Sequence, residues 1–134
     1  MLNQITPKFE TIMVIDDNKI DLYINSRIIT QNKFAQHVLQ YSSAKEALNY
    51  LSENQENTKL VPNIIFIDIY MPEMSGFEFM KIFNKFSIKL KDKCTVYIIS
   101  STNNEKDIDQ INANKNIKSF HEKPLTKEFL ESIN

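Results

Sequence analysis

The sequence predicts an α/β protein with a doubly wound, five-stranded parallel sheet that is covered by helices on both faces. Five short apolar runs alternate along the chain with longer amphipathic stretches, which is the pattern of repeated strand–helix units. The length of 134 residues and the hydrophobic content of 42% fit one compact domain with one core.

The predicted strands are the five apolar runs, in which β-branched and aromatic residues are frequent. Such residues favour strands because they fit a pleated, partly buried surface. The runs are Thr11 to Ile15, Ala35 to Leu39, Ile64 to Ile67, Val96 to Ile99 and Ile117 to Phe120.

The first two helices are predicted from apolar positions that recur with helical spacing. We expect both apolar faces to pack on the sheet, and Ser43 to cap the second helix. The face of the first helix consists of Ile20, Tyr23, Ile24 and Ile28. That of the second consists of Ala44, Ala47, Leu48 and Leu51.

Three further helices complete the predicted units. A third helix begins near Ser75, and a weakly apolar fourth one spans residues 105–114. The polar stretch 53–63 is predicted to be a surface loop before the third strand. Buried positions of the third helix are Phe79, Ile82, Phe83 and Phe86, and those of a short fifth helix are Leu125, Phe129 and Ile133.

Composition excludes several classes of function. A net charge of −1 gives no reason to expect direct binding to nucleic acid or to an anionic membrane. A lone Cys94 excludes an internal disulfide, and with only His37 and His121 a Cys/His zinc site is not expected. The first residues lack the apolar region of a signal peptide, and no apolar run is long enough to span a bilayer, so we expect a cytoplasmic protein.

Three carboxylates directly follow predicted strands. Asp16 and Asp17 come after the first strand, and Asp68 comes after the third. Residues at the carboxyl ends of neighbouring parallel strands line the crevice in which ligands bind, so these side chains converge if the two strands are neighbours. Converging carboxylates repel one another and need a cation, and oxygen ligands suit Mg²⁺ with phosphate. Alternatively, Asp17 is only the N-cap of the first helix.

Two other strand ends carry groups that suit phosphate. Ser100 follows the fourth strand, and Lys123-Pro124 comes shortly after the fifth. A hydroxyl can donate to a phosphoryl oxygen, and a lysine ammonium can neutralise its charge. Taken singly, each is more often a turn residue or a solvated surface lysine. Ser101 is the other candidate hydroxyl, and Ser100 is preferred because it follows the apolar run directly.

At these residues the chain resembles the receiver domains of bacterial response regulators. The matching features are Asp16-Asp17, Asp68 with Met71-Pro72 and Gly76 after it, Ser100, and Lys123-Pro124. The resemblance implies a flavodoxin-like fold with strand order 2-1-3-4-5. It also implies a receiver domain over residues 10–134, preceded by an extension of residues 1–9.

The resemblance also implies the roles of the site residues. Asp68 is the phosphoacceptor, and Mg²⁺, for which Mn²⁺ or Ca²⁺ can substitute, is held by Asp16, Asp17, Asp68 and the backbone carbonyl of Tyr70. Lys123 neutralises the phosphoryl oxygens. Ser100 moves toward the phosphoryl group and lets Phe120 turn inward, which reshapes the face made by the fourth helix, fifth strand and fifth helix. The Lys123-Pro124 peptide is expected to be cis.

Two residues depart from the family's usual pattern. Phe120 lacks the hydroxyl of the tyrosine that is frequent at its position, so the switch depends on burial of the ring alone. Tyr70 is bulkier than many residues at its position. With Thr102 across the site, it is expected to restrict the attacking water and to slow the loss of the phosphoryl group.

The resemblance implies partners without naming them. A sensor histidine kinase or a histidine phosphotransfer protein supplies the phosphoryl group and reads the first helix near Ile20 to Ile28. A downstream protein target docks on the switch face, and the protein is a monomer or a weak phosphorylation-dependent dimer. No output region follows, so the chain is expected to be a stand-alone or excised receiver that assists its own phosphorylation and slow dephosphorylation without being an enzyme.

Two alternative functions lack a residue that they need, and a third remains open. A haloacid-dehalogenase-type phosphatase needs an acid two residues after its nucleophile, where this chain has Tyr70. A flavin mononucleotide binder needs hydroxyls and glycine after the first strand, where the chain has Asp16-Asp17. An interaction module that works without phosphorylation remains the alternative, although it has no need for repelling carboxylates.

Overall fold

A five-stranded parallel sheet is the centre of the protein, with the strand order 2-1-3-4-5 that the resemblance implied. The structure, a computed structural model, describes residues 6–102 and 104–133, so residues 1–5 of the predicted extension lie outside the described residues. The five predicted runs all lie within strands. These strands are β1 (Phe9–Ile15), β2 (Ala35–Tyr41), β3 (Ile64–Ile67), β4 (Thr95–Ser100) and β5 (Ile117–Glu122).

Six helices are present in the described chain, one more than predicted. The additional helix is α4 (Ile88–Lys93), whose Ser87 cap accepts a hydrogen bond from the Leu90 backbone N–H at 3.2 Å. Its sequence has no helical apolar face because Leu90 is its single buried residue. The predicted fourth and fifth helices are therefore α5 and α6. The helices are α1 (Lys19–Gln31), α2 (Ala44–Glu53), α3 (Gly76–Phe83), α4 (Ile88–Lys93), α5 (Glu105–Ala113) and α6 (Lys127–Ser132).

The sheet divides the predicted single core into two layers. Alternate residues of the central strands point to opposite faces, so Ile65 and Ile67 belong to one layer while Ile64 and Phe66 belong to the other. Buried residues of α2, α3, α4 and α5 complete the first layer, and those of α1 and α6 complete the second. β3 is buried on both faces, which explains its uninterrupted apolar run.

The predicted packing face of α1 is wrong for three of its four residues, and only Ile28 packs against the core. Ile20 is 70% exposed, Tyr23 is 60% exposed and Ile24 is 39% exposed. The helix instead buries Leu22, Asn25, Ser26 and Ile29. The buried amide of Asn25 accepts a hydrogen bond from the backbone N–H of Leu125 at 2.9 Å. The spacing of apolar residues predicted the wrong face because two of the four buried residues are polar and three apolar residues are exposed to solvent.

The other predicted helical faces are largely confirmed. All four apolar positions of α2 are buried, and Ser43 accepts a hydrogen bond from the Glu46 backbone N–H as its cap. In α3, Phe79 and Phe83 are buried as expected, but Ile82 is 39% exposed. Phe86 is only partly buried, beyond the end of α3. In the described chain, no helix is both long enough and apolar enough to cross a membrane.

Candidate functional site

The three predicted carboxylates converge at the carboxyl ends of β1 and β3. These strands are neighbours, with Ile15 paired to Ile67, so the residues that follow them lie side by side. One carboxylate oxygen from each of Asp16, Asp17 and Asp68 lies within 4.8 Å of the others. Asp16 is 3% exposed and Asp68 is 8% exposed, so little solvent screens their repulsion.

The N-cap of α1 is Asn18, whose side chain accepts hydrogen bonds from the backbone N–H groups of Ile20 and Asp21. The Asn18 N–H in turn donates to Asp16 Oδ1 at 2.9 Å. The alternative that Asp17 is only the cap of this helix is therefore wrong. Its carboxylate remains available to the cluster.

The backbone behind Asp68 is packed too closely for a side chain at Gly76. A Cβ atom there would lie 2.6 Å from the Asp68 carbonyl oxygen, well inside van der Waals contact. The Gly76 N–H donates to the Ile69 carbonyl at 2.7 Å, and Ser75 and Glu78 form a capping box around the start of α3. This contact places the Asp68 loop against the helix, while Asp68 Oδ1 accepts the Ile69 N–H at 2.9 Å.

Lys123 lies in the same crevice and contacts three carboxylates. Its Nζ is 2.7 Å from Asp16, 2.9 Å from Asp21 and 3.2 Å from Asp68. Burial lowers the pKa of Lys123, but the hydrogen bonds to Asp16 and Asp21 and the charge of Asp68 outweigh it and raise that pKa. The lysine is therefore a fixed cation. Burial raises the pKa of Asp16, against the opposing hydrogen bond from Lys123.

The Lys123-Pro124 peptide is cis, as predicted. The same turn is joined to the end of β4, because the Lys123 N–H donates to the Ser100 carbonyl at 3.0 Å. Ser100 is 1% exposed, and its hydroxyl accepts a hydrogen bond from the Thr102 N–H at 3.4 Å. Ser101 is exposed, so Ser100 is the hydroxyl held inside the strand end.

Phe120 and Tyr70 lie on the side of the sheet that carries α5. Phe120 is partly buried and packs against the core layer that includes Ile111 of α5. Tyr70 is 59% exposed, and its hydroxyl donates a hydrogen bond to Asp107 Oδ2. Thr102 donates to the same oxygen at 3.0 Å. The structure thus brings Tyr70 and Thr102 together through a residue that sequence reasoning missed.

Two acidic residues of the site were missed from the sequence. Asp21 and Asp107 each lie in the first turn of a helix, where acidic residues are common because they favour the positive end of the helix dipole. Because a position in the first turn is enough to explain an acidic residue, the contacts of Asp21 with Lys123 and of Asp107 with Tyr70 and Thr102 were not predicted. For Asp21 the only signal was its position one helical turn after Asp17, beside the strand ends.

The donor set fits a hard divalent cation. Asp16, Asp21 and Asp68 contact the ammonium of Lys123, and Asp17 lies in the same cluster as Asp16 and Asp68. Among the described residues these four carboxylates have one cation in contact with them, so negative charge remains uncompensated. Their oxygens are the ligand type that Mg²⁺ prefers. The three clustered carboxylates are the residues available to hold it.

Comparisons with known proteins identify the family of the chain. A model of the response regulator receiver domain family matches residues 12–133. Two-component response regulator ORR1 of Oryza sativa subsp. japonica is 27% identical over 91% of this chain and 52% of its own length. Hybrid signal transduction histidine kinase C of Dictyostelium discoideum is 29% identical over 98% of this chain and 10% of its own. The chain therefore spans about half the length of the rice relative.

A solved structure agrees in fold over nearly the whole molecule. The crystal structure of a two-component response regulator from Cytophaga hutchinsonii has a TM-score of 0.84 and 29% identity, and the match covers 92% of both chains. The family match covers both carboxylate-bearing strand ends, the Ser100 strand end and the Lys123 turn. This chain belongs to the response regulator receiver domain family, the signalling modules of two-component systems.

Proposed function

We propose that Asp68 accepts a phosphoryl group from a phosphohistidine of a sensor kinase or histidine phosphotransfer protein. The observation that carries this proposal is the position of Lys123 Nζ, 3.2 Å from Asp68 in the same crevice as the carboxylate cluster. A phosphoacceptor needs a nucleophile and a fixed positive charge within reach of the same phosphoryl group. Members of the family typically bind a divalent metal, and the acidic cluster is compatible with that.

In the proposed reaction, an Asp68 carboxylate oxygen attacks phosphorus while the bond from phosphorus to the histidine nitrogen breaks. The imidazole leaves with the bonding electron pair, and the product is an acyl phosphate. Lys123 neutralises the phosphoryl oxygens from the β5 side. Asp16, Asp17, Asp68 and the Tyr70 carbonyl would hold Mg²⁺, or Mn²⁺ or Ca²⁺ in its place. When bound, the ion neutralises charge on the transferring group.

The proposed switch involves Ser100 and Phe120. Ser100 shifts toward the new phosphoryl group, and Phe120 turns inward toward the space it leaves. The face that changes is made by α5, β5 and α6, and a downstream protein target docks there. Support comes from α5, in which Ile111 is the single buried residue. A helix with so little buried apolar surface is free to adjust at low cost.

The exposed side of α1 is the proposed docking surface for the phosphoryl donor. Ile20, Tyr23 and Ile24 form this surface, and they lie on the helix that carries Asp21 beside Lys123. Exposed apolar groups next to a polar site favour a protein partner that buries them. This supports a protein as the phosphoryl donor.

Several broader expectations belong to the same proposal. The domain spans residues 10–134 with a short extension before it, and the family model begins at residue 12. The protein acts in the cytoplasm as a monomer or a weak phosphorylation-dependent dimer, without direct contact to nucleic acid or membrane. It promotes its own phosphorylation and slow dephosphorylation and turns over no external substrate.

The test is incubation with acetyl phosphate and Mg²⁺, followed by mass spectrometry of the intact protein. We expect one added phosphoryl group on the wild-type protein and none on Asp68→Asn. Asp92→Asn, an exposed site on α4, is the matched control and retains the modification. A wild-type protein that gains no phosphoryl group contradicts the proposal and favours the phosphorylation-independent interaction module. An Asp68→Asn variant that gains one shows that the acceptor is another residue.

A further inference from the structure

Lys123 has a carboxylate partner, Asp21, that lies outside the cluster of Asp16, Asp17 and Asp68. Asp21 Oδ2 is 2.9 Å from Lys123 Nζ, nearly as close as the Asp16 oxygen at 2.7 Å and closer than the Asp68 oxygen at 3.2 Å. The carboxylates that lie within 4.8 Å of one another are those of Asp16, Asp17 and Asp68. Asp21 is not one of these three, and it therefore contacts the proposed reaction site through Lys123.

The position of Asp21 is fixed by its helix. Its backbone N–H donates to the Asn18 cap at 3.1 Å, which places the residue in the first turn of α1. Its side chain is 36% exposed, compared with 4% for Asp16 and 11% for Asp68. Asp21 is therefore the outer partner of the lysine, at the boundary between the buried site and solvent.

A hollow of about 310 Å³ opens beside this ion pair, between α1 and the turns after β4 and β5. Asp21, Ile24 and Asn25 line it on the α1 side, and Ser101, Lys123 and Pro124 line it opposite. The proposed docking surface on α1 borders this hollow through Ile24. A protein that docks on α1 thus covers Asp21. A small molecule that enters beside Lys123 meets the negative charge of Asp21 without other contacts on α1.

We propose that Asp21 is a positioning and specificity-determining residue, which holds Lys123 in place and disfavours small anionic phosphodonors relative to a docked protein donor. This rests on the proposed phosphorylation of Asp68. A phosphodonor such as acetyl phosphate carries negative charge, so a carboxylate at the entrance opposes its approach. A protein donor gains apolar contacts with Ile20 and Tyr23, which offset that repulsion. Asp21 also competes with the phosphoryl oxygens for the Lys123 ammonium.

The first test compares rates of phosphorylation by acetyl phosphate in Asp21→Asn and wild-type protein. Asparagine keeps the size of the side chain and removes its charge, so we expect a rate about threefold to tenfold higher at low salt. The difference shrinks at high salt because ions screen exposed charges. Asp21→Glu retains the charge, so we expect its rate to lie closer to that of the wild-type protein than the rate of Asp21→Asn does. Asp92→Asn removes one exposed charge elsewhere and also leaves the rate unchanged.

A second measurement needs neither metal nor phosphodonor. In the metal-free protein, Asp21→Asn shifts the NMR resonance of the Lys123 ε-methylene group, because it removes one of three charged partners. Asp92→Asn leaves that resonance in place. If Asp21→Asn does not shift it, the positioning role is wrong, whatever the phosphorylation assay shows.

The outcomes separate this inference from the proposed function. If the wild-type protein is phosphorylated and Asp21→Asn reacts at the same or a lower rate, the specificity role is overturned while the function stands. If Asp21→Asn and Asp21→Glu accelerate the reaction equally, charge is not the cause and the inference fails. A wild-type protein that never becomes phosphorylated overturns the function itself, and this inference with it.

Discussion

The two walls of the site are held in different ways. The α1 wall consists of Asp16, Asp21 and Lys123, which are joined by ion pairs of 2.7 Å and 2.9 Å around one cation. The α5 wall consists of Tyr70, Thr102 and Asp107, which are joined by hydrogen bonds between neutral hydroxyls and one carboxylate. The first wall has the stronger, more buried contacts, and the second is closer to solvent.

The helices of the two walls also differ in how firmly they are packed. α1 buries four residues and is bonded to the turn after β5 through Asn25, whereas α5 buries only Ile111. Next to α1, the Phe129 ring of α6 stacks on His121 with centroids 4.0 Å apart. The comparison teaches that Asp16 and Lys123, which are proposed to serve phosphoryl transfer, belong to the more firmly held wall, and that motion is expected at the other.

Lys123→Met is the change expected to have the largest effect, because it removes the cation of the α1 wall. It removes the only cation in contact with Asp16, Asp21 and Asp68 in the described chain and leaves buried carboxylates uncompensated. In metal-free buffer we expect the free energy of unfolding to fall by about 3 kcal/mol, and saturating Mg²⁺ to restore part of that loss.

The measurement for Lys123→Met is urea unfolding with a chelator and with Mg²⁺. Lys118→Met, at an exposed position of β5, is the matched control and changes stability by less than about 0.5 kcal/mol. Equal stability of Lys123→Met and the control would show that the α1 wall does not depend on its ion pairs.

Gly76→Ala tests the backbone that lies between the two walls. The added Cβ would lie 2.6 Å from the Asp68 carbonyl oxygen, so the Asp68 loop or α3 has to move. We expect a loss of about 2 kcal/mol in the free energy of unfolding and slower phosphorylation of Asp68. Ser75→Ala, which removes a cap at the same helix end without a clash, costs about 1 kcal/mol. If Gly76→Ala costs less than Ser75→Ala, the loop is looser than this contact implies.

Tyr70 tests the weaker α5 wall. Tyr70→Phe removes the hydrogen bond to Asp107 and keeps the ring, so we expect faster amide hydrogen exchange in α5 and no change in α1. Tyr70→Ala also removes the ring, and we expect the acyl phosphate to lose its phosphoryl group several times faster, measured after the donor is removed. An unchanged rate of phosphate release in Tyr70→Ala would sink the idea that this ring restricts the attacking water.

Much of this site was predictable because its residues follow strands. Asp16, Asp68 and Ser100 each end or follow an apolar run, and the rule that parallel strand ends meet at one edge brings them together. Asp21 and Asp107 follow no strand. Their contacts arise from how α1 and α5 lie on the sheet, which the spacing of apolar residues does not determine.

In the fold, too, some elements were predictable from the sequence and others were not. The strands of the sheet were predictable because burial on one or both faces imposes a plain apolar pattern on the sequence. The face of α1 was not, because Asn25 and Ser26 are buried while Ile20 and Tyr23 are exposed. The exposed apolar residues of α1, which are proposed to bind a partner, break the rule that apolar groups turn inward, so the prediction fails at this surface.

The smallest expected effect concerns the aromatic contacts behind the α1 wall and their response to pH. Burial lowers the pKa of His121, against opposing contributions from Glu122 and the backbone at Pro124. The unfolded chain, with the ordinary pKa of 6.5, therefore binds the proton more readily than the folded protein. This group costs no stability well above that pH, and the free energy of unfolding falls as the pH drops below it.

The measurement is urea unfolding of the wild-type protein and His121→Gln at about pH 7.5 and about pH 5. His121→Gln loses the stacking on Phe129 at both pH values, but we expect its stability to decline less between them because the titrating group is gone. His37→Gln, at an exposed position of β2, declines as the wild-type protein does. If the stability of His121→Gln declines as much as that of the wild-type protein, protonation of this imidazole does not oppose the packing of α6.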